Sequence, residues 1–142
     1  MGKIENSDFK RLIGKWNTEG KILTNQNDSE AKIIGTDSYE FILNGNFILH
    51  KAAVLMGNTK SETYEIIALE NANEKVKMQY FNSEGENGIM AGFLKGNDFR
   101  IESENLKFKG TISNDNTSIT GIWQQLSEDN NWLDFLEMKL SQ

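Results

Sequence analysis

His50 is the only histidine in the chain. Any mechanism that needs an imidazole, as base, as partner of a nucleophile or as metal ligand, must run through it. It stands beside Lys51 in an apolar run. If Lys51 faces solvent, alternation turns His50 inward. There it could ligate heme iron, act as a base, or be a hydrogen-bonded interior residue. A Ser-His-Asp triad would also need an exposed nucleophile, and no Gly-x-Ser-x-Gly elbow occurs. Glu62, Glu65, Glu102, Glu104 and Asp134 could pair as general acid and base. Alternation places most of them on the solvent face. Asp134 is the exception, because it shares parity with Leu136 and Met138. Arg100 alternates with Phe99 and Ile101, which points it outward and away from the role of a carboxylate anchor.

Other familiar chemistry is missing. Gly92 and Gly96 do not form a phosphate loop, since the lysine and helix it requires are absent. The stretches 114–116 and 128–130 resemble pieces of a calcium loop. They lack its glycine and its distant bidentate glutamate, so they read as turns. There are no cysteines, which excludes disulfides, zinc–thiolate sites and thiol nucleophiles. The residues imply no catalytic set, no metal site and no cofactor.

Composition narrows the partners. The 142 residues suit one domain spanning 1–142, with a net charge of −6 and lysines scattered rather than striped. Phosphate backbones need clustered cations, so nucleic acid is not an expected partner. No apolar run is long enough to span a membrane as a helix. The first eight residues are polar, so no secretory signal is expected. Absent cysteine fits a reducing compartment, and the expected location is cytoplasmic.

The elements that must position these residues read as strands. Proline is absent, so turns fall to Gly, Asn, Asp and Ser. Asn44-Gly45 between two alternating runs is the strongest hairpin signal. Further turn clusters at 24–29, 57–58, 70–73, 82–87, 95–98, 103–105, 113–117 and 127–131 mark out a meander. Alternating runs fall at 14–23, 33–44, 47–56, 60–69, 75–81, 88–94, 99–102, 106–112, 118–126 and 132–140. One short helix is expected over 8–13, N-capped by Ser7, with Phe9, Leu12 and Ile13 on one face. The expected architecture is an all-β, antiparallel up-and-down barrel of about ten strands with a short N-terminal helix at one end. Closure removes exposed edges, and a barrel wider than about eight strands tends to enclose a cavity.

Phe9-Lys10-Arg11-Leu12-Ile13-Gly14-Lys15-Trp16 resembles the opening of the calycin superfamily, the lipocalins and fatty-acid-binding proteins. Those proteins begin with a short helical turn followed by Gly-x-Trp on the first strand, matched here by Gly14 and Trp16. The remainder is similar to small bacterial lipocalin-like domains of unknown function. Gly35-Thr36-Asp37-Ser38-Tyr39 leads there into a glycine turn and an apolar strand. The resemblance implies that Trp16 plugs one barrel end. It also implies an arginine near the chain end stacked on that tryptophan. This chain has only Arg11 and Arg100, so Arg11 is the candidate substitute. Heme-binding relatives called nitrobindins open similarly, but carry a run of glycines after the tryptophan where this chain has only Gly20.

The leading functional expectation is a barrel that binds a small apolar or amphipathic ligand. Tyr39, Phe41, His50, Tyr64, Ile66, Met78, Tyr80, Phe108 and Trp123 are expected to line the interior. Methionines would adapt to an irregular ligand. The alternative is a filled barrel acting through surface contacts or as a homodimer. An enzyme working at the barrel mouth is the least favoured of the three.

Overall fold

The structure, a computed structural model, describes residues 2–23, 32–70 and 75–142. The turn expected at 24–29 and most of that at 70–73 lie outside these residues. Ten strands follow two 3-10 turns. They are β1 (Gly14–Ile22), β2 (Lys32–Ile42), β3 (Phe47–Met56), β4 (Thr59–Leu69) and β5 (Lys75–Asn82). Then come β6 (Asn87–Lys95), β7 (Asp98–Glu102), β8 (Leu106–Ile112), β9 (Ser118–Leu126) and β10 (Trp132–Ser141). Each pairs antiparallel with its neighbour in sequence, and β10 closes on β1. The result is the expected up-and-down barrel, with every edge paired.

The short helix takes the form of two 3-10 turns, Ile4–Asn6 and Asp8–Leu12. Ser7 links them: its hydroxyl accepts from the Phe9 amide and donates to the Ile4 carbonyl. Ile4, Phe9 and Leu12 are fully buried and share one core cluster with Trp16. These turns plug the barrel. The Trp16 indole donates to the Leu12 carbonyl at 2.8 Å, which satisfies its buried N–H. At the β2–β3 turn, Leu43, Asn44 and Gly45 all have positive φ. The Gly45 carbonyl accepts from the Glu5 amide, so this turn also holds the plug.

Arg11 does not stack on Trp16. Its guanidinium binds the Gly96 and Ser113 carbonyls and the Asn97 and Asn116 side chains. It thus fastens the plug to the β6–β7 and β8–β9 turns. A fork of five N–H donors suits this role better than a ring contact would.

Ile48, Ile67, Val76, Met78, Leu94, Phe99, Ile112, Ile119 and Leu140 fill the barrel above the plug. Burial falls away toward the other end. Val54, Ser61, Thr63, Tyr80, Met90, Trp123 and Met138 stand on inward positions yet are only half-buried. In a closed barrel an inward side chain meets solvent through the interior. Among the described residues the barrel is therefore packed at the Trp16 end and only partly filled at the far end, where Ile33 and Leu136 are buried but their inward neighbours are not.

Removing the Trp16 ring should empty the packed end. Trp16→Ala is expected to cost about 3–5 kcal/mol, read as a fall in the denaturant midpoint at constant slope. An unchanged midpoint would mean that the plug does not depend on the tryptophan.

Candidate functional site

The inward faces of the first four strands carry an unusual set of side chains. β1 turns Trp16 and Thr18 inward, β2 turns Asp37 and Tyr39, β3 turns His50, and β4 turns Glu65. His50 lies directly across from Tyr39 on one side and from Glu65 on the other. Opposite residues on antiparallel strands share a face, so this register brings the three together.

The geometry is closed around the imidazole. Nε2 of His50 lies 2.5 Å from Oδ2 of Asp37, and Nδ1 lies 2.9 Å from Oε1 of Glu65. Thr18 donates its hydroxyl to the other Asp37 oxygen. The Tyr39 ring stacks on the imidazole, with centroids 4.0 Å apart and planes inclined by 6°. Thr18, Asp37, Tyr39 and Glu65 are buried, and the His50 side chain is 14% exposed.

A carboxylate only accepts hydrogen bonds, so two carboxylates on one imidazole call for a proton on both ring nitrogens. Burial alone would lower the His50 pKa. The hydrogen bonds to Asp37 and Glu65, with their charges, outweigh it and raise the value to about 9. His50 is thus an imidazolium at neutral pH. The Tyr39 hydroxyl is pushed well above its ordinary value, first by burial and then by the charges of Asp37 and Glu65.

This arrangement limits the chemistry. An imidazolium with both nitrogens engaged is a poor general base near pH 7. It has no free lone pair for iron. The Thr18 hydroxyl is turned to Asp37 rather than to the ring. Among the described residues, no group of three or more His, Cys, Asp or Glu side chains is arranged to hold a metal ion.

The expected lining residues divide. Tyr39, His50, Met78, Tyr80, Phe108 and Trp123 stand on inward positions. Met78 and Phe108 belong to the packed core, whereas Tyr80 and Trp123 remain half-buried above it. Phe41 has inward parity but sits at the end of β2, where the wall runs out, and is 36% exposed. Tyr64 and Ile66 face outward. Tyr64 is 52% exposed and lies beneath the Lys51 ammonium. The reason is that β4 is apolar on its outer face, with Tyr64, Ile66 and Ala68. Its inner face carries Ser61, Thr63, Glu65 and Ile67. Asp134 is also turned outward. A β-bulge between Asp134 and Leu136 breaks their shared parity, and Asp134 accepts from the exposed Gln124 amide. Arg100 points outward as expected, between Asp98 and Glu102 and over the Phe93 ring.

Sequence reading missed Asp37 and Thr18 as site residues, and it named Glu65 only as an acid–base candidate whose alternation turns it to solvent, whereas Glu65 faces inward and is buried. One signal was available. Asp37 shares parity with Tyr39, and His50 lies across the Asn-Gly hairpin from that tyrosine. Fixing the hairpin register places an acid and the sole histidine on one inner face.

Glycines shape the open half of the inner wall. A Cβ at Gly88 would stand 2.9 Å from the Tyr80 hydroxyl and 3.0 Å from its ring, so that ring lies flat on Gly88. Phe108 lies in the same way across Gly110 and Gly121, where a Cβ would come within 2.6 Å of it.

The profile of the family described as "Protein of unknown function (DUF1579)" matches residues 4–142. The chain belongs to that family. Comparison with curated proteins gives no match. Among solved structures, this DUF1579 chain is similar to Rv2717c from M. tuberculosis at a TM-score of 0.75 and 11% identity, covering 100% of this chain and 98% of that one. It is also similar to the zebrafish ileal bile acid-binding protein complexed with cholic acid. That match has a TM-score of 0.59 and 10% identity over 93% of this chain and 98% of the other. Both likenesses concern the fold alone, a closed antiparallel β-barrel. No helix among the described residues is long and apolar enough to cross a membrane.

The raised His50 pKa links the cluster to stability. The folded value is about 9, against an ordinary 6.5. The stabilisation is therefore full below pH 6.5, falls as pH rises, and is lost above about 9. It should amount to about 3 kcal/mol. The chain has no cysteine and no other histidine, so no other side chain ordinarily titrates in this window. Urea midpoints between pH 6 and 9.5 should fall steadily, and less steeply in Glu65→Gln. A flat profile would show that His50 is not charged in the fold.

Proposed function

We propose that this DUF1579 barrel binds a small amphipathic molecule in its interior. The polar head would lie at Asp37, His50 and Glu65, and the apolar part against Tyr80, Met90, Trp123 and Met138. One observation carries this reading. A charged, hydrogen-bonded cluster stands on the inner wall of a closed barrel that is packed at one end and half-exposed at the other. Desolvating charged groups is costly, and a barrel needing only stability would bury apolar side chains there instead. Polar groups at the floor of an apolar lumen orient a ligand and exclude wrong ones. Cholic acid in the bile acid-binding barrel is an amphipathic molecule, and this chain shares the type of fold that holds it.

A second reading has an observation of its own. Tyr64, Phe81 and Ile89 are exposed on the outer faces of β4, β5 and β6, and Tyr64 lies directly opposite Phe81. Such a patch would suit a homodimer contact. Either activity would suit a cytoplasmic protein.

Two measurements separate the readings. The neutral dye N-phenyl-1-naphthylamine should bind the native chain at about micromolar level, and native mass spectrometry should show a co-purified small molecule. Met90→Trp puts a large side chain into the half-exposed interior and should weaken dye binding about tenfold or more. If the dye does not bind, and the chain sediments as a dimer that Phe81→Glu dissociates, the surface reading replaces the ligand reading.

A further inference from the structure

The charges on the inner wall specify the head group more narrowly. Every lysine and arginine in the ten strands stands on an outward position, from Lys15 on β1 to Lys139 on β10. The strands turn only three charged side chains inward, Asp37, His50 and Glu65. Two carboxyl groups thus flank a single imidazole, and acid groups outnumber basic ones on the inner wall. No lysine or arginine on the described inner wall balances the excess. An anionic head group entering this lumen would meet two carboxylates and find its one cation already held by both of them.

The unused hydrogen-bonding capacity points the same way. Glu65 commits Oε1 to His50, and no partner for its second oxygen is found among the described residues. Tyr39 is only 6% exposed, yet its hydroxyl makes no hydrogen bond among the described residues. That phenol feels the charges of both Asp37 and Glu65, which places it at the cluster. Neither oxygen is sealed away from solvent without a partner, as Arg100 Nε is, so both remain open to a bound donor. The donor must bring hydrogens to a carboxylate oxygen and a phenol oxygen, and should be positive. An ammonium is a compact cation with three donors and no acceptor. The half-exposed Tyr80 and Trp123 rings offer faces that attract a cation and also cover an apolar tail.

We infer that the interior takes a small amphipathic amine, its ammonium held by Glu65 and Tyr39 beside His50, and that it discriminates against carboxylates. This rests on the ligand reading above. The test is displacement of N-phenyl-1-naphthylamine from the native chain at neutral pH by octylamine, octanoate and octanol. Their tails are matched, so differences report on the head group. Octylamine should bind at least about tenfold more tightly than octanoate, with octanol between them. Glu65→Gln should collapse the gap between amine and carboxylate. Tyr39→Phe keeps the ring and its stacking, and should weaken octylamine several-fold while leaving octanol unchanged. If Glu65→Gln fails to fold by circular dichroism, Tyr39→Phe decides alone. Octanoate binding as well as or better than octylamine would overturn the inference while leaving ligand binding intact. So would a gap that neither variant changes, or bound dye that none of the three displaces. Absence of any dye binding would instead defeat the ligand reading itself.

Discussion

Two carboxylates share one imidazole on the inner wall, and much of the surrounding structure serves that arrangement. A lone buried carboxylate or imidazolium would be driven to its neutral form by desolvation. Held between Asp37 and Glu65, His50 keeps its charge, and each acid keeps a partner. Thr18 takes up the remaining Asp37 oxygen from a further strand. Tyr39 covers the ring face. The cluster thus spans β1 to β4, and a slip of one residue in any of three strand pairings would turn a charged or polar member out of the barrel. It fixes the register of the first half of the sheet as much as it furnishes a site.

The two ends of the barrel divide the work. The N-terminal turns, Trp16 and the residues above it make an ordinary core, with its polar atoms satisfied by the Leu12 carbonyl and by the Ser7 cap. Arg11 ties this plug to turns more than eighty residues away in sequence. Stability resides there. The other half is packed less closely, and most of its inward side chains among the described residues are half-covered. Such a division suits a protein that must hold its shape whether or not the interior is occupied.

The fold was legible because alternation and turn chemistry are local. Asn44-Gly45, the scattered Gly, Asn and Ser turns and the Gly14-x-Trp16 opening placed all ten strands within a few residues of their observed ends. The site was less legible because inwardness is a property of pairing. On β4 the outer face carries Tyr64 and Ile66 while the inner face carries Glu65, so hydrophobicity chose the wrong side. On β10 a bulge at position 135 reversed the parity of Asp134. Where both neighbours pair regularly and the inner residues are apolar, as at Met78 and Phe108, alternation was a sufficient guide. Alternation puts Asp37 and Tyr39 on one face and His50 inward, but it sends Glu65 to the other side. Only the register of β2, β3 and β4 brings them to one point.

The glycines beneath Tyr80 and Phe108 set the bore of the barrel independently of its charge. Each ring lies against the wall because the facing position has no Cβ. A methyl group at position 88 would tilt Tyr80 toward the axis, and one at 110 or 121 would lift Phe108. None of these changes would replace a member of the cluster, although Tyr80 pairs directly with Glu65. Bore and head-group chemistry are thus written in separate residues, even where Tyr80 and Glu65 stand side by side on neighbouring strands. Homologues could diverge in the size of the molecule they admit while keeping the same electrostatic preference, or the reverse, by steps that do not interfere.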